Sequence, residues 1–411
     1  MDERRRQISG WEELRSCQPY WILKNGLLAV YPPLEQNATC EVAVLGAGIT
    51  GALLATYLCR EGVDTLLLDK RDVAMGSTAA STALLMHEID VPLSQLARKL
   101  DPACATRAYY LGLEAINAIE SLTRGLGDDC GFARMECVCI ASGARDVKCL
   151  REEFEHRKAA GFDVEFLGAQ ELAERSALKA PAAILSRGNA QVDPFRLTHR
   201  LLAQSCERGL RVYDRSEVTE IERVGGGVLL KTRRGPTVQA RKVIFATGYE
   251  SQKYLREDVG ELTSTFALVS EPLESGNAWQ DRFILWETAR PYFYLGCTAD
   301  GRALLGGEDD PYAGSHQSSE VLEHKSRRLA QRFRSLFPTI NIEIAYVWGG
   351  TFAETKDGLP YIGESSELAE AYFALSYGAN GITFGQVAAK ILTDLYLGRK
   401  NSDAELFRFG R

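Results

Sequence analysis

A short apolar run, Val42-Ala43-Val44-Leu45, leads into Gly46-Ala47-Gly48-Ile49-Thr50-Gly51, then a helical stretch, then a second apolar run ending at Asp69. The pattern predicts strand, glycine turn, helix, strand and terminal acid. In residues 92–126 the apolar positions Leu93, Leu96, Leu100, Ala108, Leu111, Leu113, Ile116 and Ile119 recur at helical intervals, which predicts two or three helices closed by Gly125, Gly127 and Gly131. Residues 132–142 read as a strand and 147–161 as a helix with a glycine stop. Asp193 is placed to cap a helix over 193–209, with Pro194 at its first position. Short strands at 211–213 and 217–221 follow, then a Gly225-Gly226-Gly227 hairpin, then an apolar strand, 242–245, running into Ala246-Thr247-Gly248. Residues 266–348 are mostly strand-like around one strong helix at 318–337, and a last helix covers 384–397.

Strand-rich segments therefore interrupt the first unit before the Ala246-Thr247-Gly248 turn and again after it. The expected fold class is α/β, α+β overall. A Rossmann-like nucleotide-binding domain, discontinuous at 41–127, 185–257 and 353–411, would carry an inserted, mainly antiparallel β-sheet substrate domain at 128–184 and 258–352. Residues 1–40, with Trp11, Tyr20, Trp21, Tyr31 and Pro32-Pro33, read as an irregular arm that anchors aromatics on a neighbouring surface.

Composition narrows the function classes. At 411 residues and 45% hydrophobic, the chain can bury a core for two interlocked domains. Its formal net charge of −7 argues against a nucleic-acid partner. The 10 cysteines include no C-x-x-C pair, so neither a zinc ribbon nor a redox dithiol is expected. They read as small buried hydrophobes in a reducing compartment, and a cytoplasmic protein is expected. The N-terminus does not read as a secretory signal, and no run approaches the length of a membrane span. The oligomeric state is left open.

Each glycine of the first turn has a distinct physical role: a tight turn at Gly46, close backbone approach to a diphosphate at Gly48, and close packing of helix on strand at Gly51. A diphosphate would sit on the N-terminus of the helix starting near Thr50. Asp69, at the end of the second strand, is placed to meet a ribose hydroxyl. The run Gly76-Ser77-Thr78-Ala79-Ala80-Ser81-Thr82, ahead of the apolar strand Ala83-Leu84-Leu85-Met86, would let a chain lie along an extended cofactor.

With these motifs stand Asp357-Gly358-Leu359-Pro360-Tyr361-Ile362-Gly363 and Tyr377-Gly378-Ala379-Asn380-Gly381-Ile382-Thr383. Together they resemble the D-amino-acid oxidase superfamily of flavoproteins, which holds glycine oxidase, monomeric sarcosine oxidase and gamma-glutamylputrescine oxidase. The arm with Pro32-Pro33 is most similar to the last branch. The resemblance implies non-covalent FAD. Gly46, Gly48, Ile49, Thr50 and Gly51 would hold the diphosphate, and Asp69, Lys70 and Arg71 would border the adenosine ribose. Ser77, Thr78, Ala80, Ser81, Thr82 and Ala83 would run beside the ribityl chain, with Val218 at the adenine and Ala246, Thr247 and Gly248 closing over the nucleotide. Gly378, Ala379, Asn380, Gly381, Ile382 and Thr383 would turn beneath the pyrimidine end of the flavin.

The substrate pocket is expected from the inserted strands, with candidates Arg290, Tyr292, Tyr294, Trp348 and Phe352. On a strand, Tyr292 and Tyr294 share one face and Phe293 takes the other. Arg290 is expected in solvent or a structural ion pair, and aromatics are also routine core. Family members typically carry a carboxylate-binding arginine after the tryptophan-glycine segment, where this chain has Thr351-Phe352-Ala353-Glu354. A plain α-amino acid is therefore disfavoured. Glu354, or Glu308-Asp309-Asp310, could attract a cationic amine, although the latter cluster reads first as a solvated turn. His87 and Cys297 invite comparison with covalent flavin attachment without a confirming motif, while His156, His199, His316 and His324 are expected to be exposed and no metal site is expected. The resemblance implies oxidation of a small-molecule amine to an imine, with electrons passed to O2. A dehydrogenase using a quinone or carrier acceptor and a flavoprotein with structural or sensory FAD are the alternatives.

Overall fold

The computed structural model describes residues 15–176, 178–273, 283–312, 314, 317–375 and 378–411. Trp11, His316 and Tyr377, named above, lie outside the described residues. The described chain builds two sheets. The first has 8 strands. Tyr361–Glu364, Ala371–Leu375, Thr237–Phe245, Ala38–Leu45, Thr65–Leu68 and Arg211–Tyr213 lie side by side in that order, parallel from the second strand onward. Val218–Val224 and Gly227–Thr232 extend it as a hairpin on Thr237–Phe245. Its central strands are buried on both faces, as the continuous apolar run at Val42 requires: helices Ile49–Arg60 and Gly381–Tyr396 pack together on one side, and Phe245 and Phe373 stack in the core on the other.

The second sheet has 10 strands and is antiparallel but for one pair, Phe283–Glu287 with Ala133–Ile140. Its face carries the amphipathic helix Ser319–Leu336, whose Leu322, Leu329 and Phe333 enter a separate core with Phe266, Leu268 and Leu305. The expected mainly antiparallel insertion is thus present. The boundary drawn at 185 falls inside Ala182–Gln191, which belongs entirely to the second sheet, and the boundary drawn at 353 falls inside Ile344–Glu354 of the same sheet.

Three local expectations need correction. The arm is not irregular: Arg15–Ser16 adds an edge strand to Ile344–Glu354, and Tyr20–Asn25 is a short helix with Tyr20 and Trp21 buried. The strand expected at 83–86 pairs only over Leu84–Leu85, and the small-residue run before it holds a helical turn at Ser77–Ala80. His199 is buried against Phe195 on the helix Pro194–Cys206, and burial lowers its pKa to about 4. Asp193 caps that helix as expected, accepting from the Arg196 amide.

Candidate functional site

The parallel strands carrying Leu45, Leu68 and Phe245 end at one edge of the first sheet, where a continuous cavity opens and runs to the second sheet. Gly46 lines it with φ +103°, and a Cβ there would stand 2.4 Å from Ala246 O. Only glycine lets the turn pass beneath the end of the neighbouring strand. Gly48, Ile49 and Thr50 also line the cavity, and no side chain of the N-cap residue Gly48 covers the helix N-terminus. The Ile49 amide is engaged, donating to Thr78 Oγ1 at 3.0 Å. Gly51 does not line the cavity: a Cβ there would meet Gly46 O at 1.8 Å, so this glycine serves packing of helix on turn.

Asp69 lines the cavity and accepts from the Ala47 amide at 2.6 Å and the Arg71 amide at 2.8 Å. Burial raises its pKa to about 6, with the two amides pulling the other way. Lys70 and Arg71 reach the cavity and both pair with Glu250, at 2.9 and 2.7 Å. Glu250 belongs to the turn after Gly248, so these pairs tie the two turns at this edge together. Val218, Ala246, Thr247 and Gly248 line the same region.

Ser77, Thr78, Ala80, Ser81, Thr82 and Ala83 form the next wall. Two indoles hold this wall from behind: Trp21 Nε1 donates to Ser81 O at 2.7 Å, and Trp348 Nε1 to Ala80 O at 2.9 Å. Trp348 is 1% exposed and does not line the cavity, which corrects its expected place in the substrate pocket. Gly378, Ala379, Asn380, Gly381 and Ile382 close the opposite side. Thr383 does not; it is buried, with Oγ1 directed at Met86 O. Asn380 Nδ2 donates to Met86 O at 2.9 Å and to Glu88 O at 2.8 Å, and the Ala379 amide donates to Asp90 Oδ2 at 2.9 Å. The C-terminal turn is thereby fixed to the segment 86–90.

At the second sheet the cavity is bounded by Tyr292, Tyr294 and Phe352, while Phe293 points into the opposite core. Tyr294 lies flat on its neighbouring strand because a Cβ at Gly306 would stand 2.3 Å from the ring. Tyr292 donates its hydroxyl to Asp90 Oδ1 at 2.8 Å, and burial raises the pKa of both tyrosines, to about 12 for Tyr294. Arg290 is outside the cavity: it is exposed, its guanidinium lies 4.3 Å over the Tyr292 ring, and Nη2 donates to Asp90 O at 3.1 Å. Glu354 is exposed and does not line the cavity either.

The acidic trio is not a solvated turn. It lies on the strand Arg302–Pro311, where Glu308 pairs with Arg328 at 2.8 Å, Asp310 pairs with Lys325 at 2.7 Å, and Asp309 between them faces the cavity. Asp90, Tyr249, Glu250 and Thr265 were not legible as site residues. The sequence signals nearest to them are the acids following His87 and the Tyr249-Glu250 pair after the small-residue turn. His87 is buried outside the cavity, with Nδ1 2.8 Å from Asn189 Oδ1 and its ring stacked on Phe162. Cys297 sits in the core of the second sheet. Among the described residues no cluster of His, Cys, Asp or Glu could hold a metal ion.

A family model described as FAD dependent oxidoreductase (DAO) matches residues 41–395. The chain belongs to the DAO family of FAD-dependent oxidoreductases. Gamma-glutamylputrescine oxidoreductase of Escherichia coli (strain K12) is 22% identical over 397 residues, 94% of this chain and 90% of that one. Glycine oxidase of Bacillus subtilis (strain 168) is 24% identical over 371 residues, covering 90% of this chain and 96% of that one. The crystal structure of glycine oxidase from Geobacillus kaustophilus superposes with a TM-score of 0.78 at 21% identity, over 91% of this chain and 99% of that one. The cavity fits the cofactor of a DAO enzyme. The glycine turn leaves a helix N-terminus open toward it, and Ser77 Oγ, on the same wall, is buried without a hydrogen-bond partner among the described residues.

Proposed function

We propose that this enzyme oxidises the C–N bond of an amine or amino-acid-like substrate to an imine, with non-covalent FAD and with O2 as electron acceptor. The observation that carries the reading is one cavity whose glycine-turn end suits a diphosphate and whose far end is walled by Tyr292, Tyr294, Phe352, Asp90 and Asp309. The relatives named above act, by their names, on glycine and on gamma-glutamylputrescine, both amines.

FAD, when bound, supplies the acceptor for the hydride equivalent that leaves the carbon bearing nitrogen. Gly46, Gly48 and Thr50 would hold its diphosphate, Asp69 its ribose, and the Ser77–Ala83 and Gly378–Ile382 walls its remaining length. The protein's part in the chemistry is then positional. The aromatic end excludes water and orients the C–H bond next to nitrogen. Asp90, held by Tyr292 and the Ala379 amide, fixes the aromatic end against the C-terminal turn. Non-covalent attachment agrees with His87 turning to Asn189 and Phe162 and with the seat of Cys297 in the other core. A cytoplasmic location agrees with ten cysteines free of disulfides, and among the described residues no helix is long and apolar enough to cross a membrane.

The test is anaerobic mixing of the purified yellow protein with gamma-glutamylputrescine, sarcosine, glycine or proline, followed by air. Bleaching of the flavin band by one of them and rapid return of colour in air are expected. Absence of bleaching by any amine would point to structural FAD, and slow return in air to a quinone or carrier acceptor.

A further inference from the structure

Resting on the amine reading, we propose that the tyrosine-walled end of the cavity selects alkylammonium substrates, with Asp309 Oδ1 as the carboxylate partner of the charged nitrogen. Opposite Thr265 the strand Arg302–Pro311 bulges, with Glu308 at φ +59°, and this bulge turns Asp309 to the face opposite Glu308 and Asp310. Glu308 and Asp310 are neutralised on the outer side by Arg328 and Lys325. Asp309 alone of the three faces the cavity, and its Oδ1 is fully buried with no hydrogen-bond donor among the described residues. Thr265, on the adjoining strand, offers the carboxylate a hydroxyl but leaves its charge without a counter-ion. A buried carboxylate oxygen without a donor is costly, and an arriving N–H group removes that cost.

The surroundings make the missing partner a cation. Asp90 lines the same end, but its oxygens are occupied by the Tyr292 hydroxyl and the Ala379 amide. Tyr292 and Tyr294 present rings whose centroids are 6.0 Å apart, and Tyr249 also lines this end, so aromatic faces are available to a charged nitrogen. Arg290 lies over the Tyr292 ring and does not line the cavity. A substrate carboxylate would meet Asp90 and Asp309 at this end with no cation lining the wall beside them. The site therefore favours amines without a carboxylate next to the nitrogen over zwitterionic α-amino acids.

Calorimetry on the FAD-loaded protein would compare n-butylammonium with 1-butanol and with norvaline, alongside Asp309→Asn and, as a surface control, Asp310→Asn. Retained yellow colour and far-UV circular dichroism would certify that each variant is folded. Butylammonium should bind at least roughly tenfold tighter than either other probe, and Asp309→Asn should lose about tenfold or more of that affinity while Asp310→Asn loses none. Equal binding of the three probes, no binding at all, or an unchanged affinity in Asp309→Asn would overturn the proposal. The amine-oxidation reading fails separately, if butylammonium binds through Asp309 and yet no amine bleaches the flavin.

Discussion

Asp309 and Asp69 are both carboxylates whose pKa rises to about 6, yet they answer to different surroundings. For Asp309 the causes are burial first, then the negative charges of Asp90 and Glu354, against the Thr265 hydroxyl and the Arg290 charge; Tyr292 and Tyr294 complete the ring of groups facing it. Cation affinity should therefore be full above about pH 7 and fall by about tenfold per unit below pH 6, as protonation removes the charge. A pH series of butylammonium titrations checks this, and Asp309→Asn should flatten it. For Asp69 the charge is met from within by the Ala47 and Arg71 amides, which pin the glycine turn to the end of its strand. Asp69→Ala frees both amides and removes the proposed ribose acceptor at once. FAD affinity, followed by quenching of flavin fluorescence on the apoprotein, should fall by about tenfold or more, with Asp69→Asn losing less.

At the scale of elements, the legible parts of the chain were those whose signal is local. The strand at Val42, the turn and helix after it, the Asp193 cap with Pro194, and the alternation of Tyr292, Phe293 and Tyr294 all follow from neighbours in sequence. What escaped depends on partners far along the chain. The run after Gly76 curls into a helical turn with indoles from Trp21 and Trp348 behind it, and neither contact has a local signature. Likewise Asp309 faces the cavity while Glu308 and Asp310 pair with Arg328 and Lys325, on the helix Ser319–Leu336, a separation with no local signature. Trp348 tests the point. Replacement by Phe keeps most of the ring volume but leaves the half-buried Ala80 carbonyl without its donor, at a cost of about 1 kcal/mol. Urea unfolding should show that loss, and FAD should dissociate faster from Trp348→Phe because the wall that borders the cavity has lost its brace.

For the whole molecule, the segment 86–90 is where the second sheet and the C-terminal turn meet, and its Glu88 belongs to a buried charge network. Arg157, on the helix Val147–Ala159, is 0% exposed and donates to Glu153 at 2.6 Å and to Glu88 at 3.5 Å. Glu153 also accepts the amides of Leu93 and Ser94, which open the helix Leu93–Lys99. Burial alone would raise the pKa of both glutamates, but His87 and then Arg157 at Glu88, and Arg157 with the Ser94 amide at Glu153, hold them below the ordinary value of 4.5. A lowered folded-state pKa contributes stability that is fully present above 4.5 and is lost as pH falls through the folded value. Arg157→Met would strand two buried carboxylates, so a loss of about 3–5 kcal/mol at pH 7 is expected. The pH dependence should then weaken. Without the guanidinium both glutamates are held down less firmly against burial, so the variant should lose less stability on acidification than the native enzyme does. Urea midpoints of both proteins between pH 7 and pH 4 measure this, and parallel curves would show that Arg157 does not hold the two glutamates ionised.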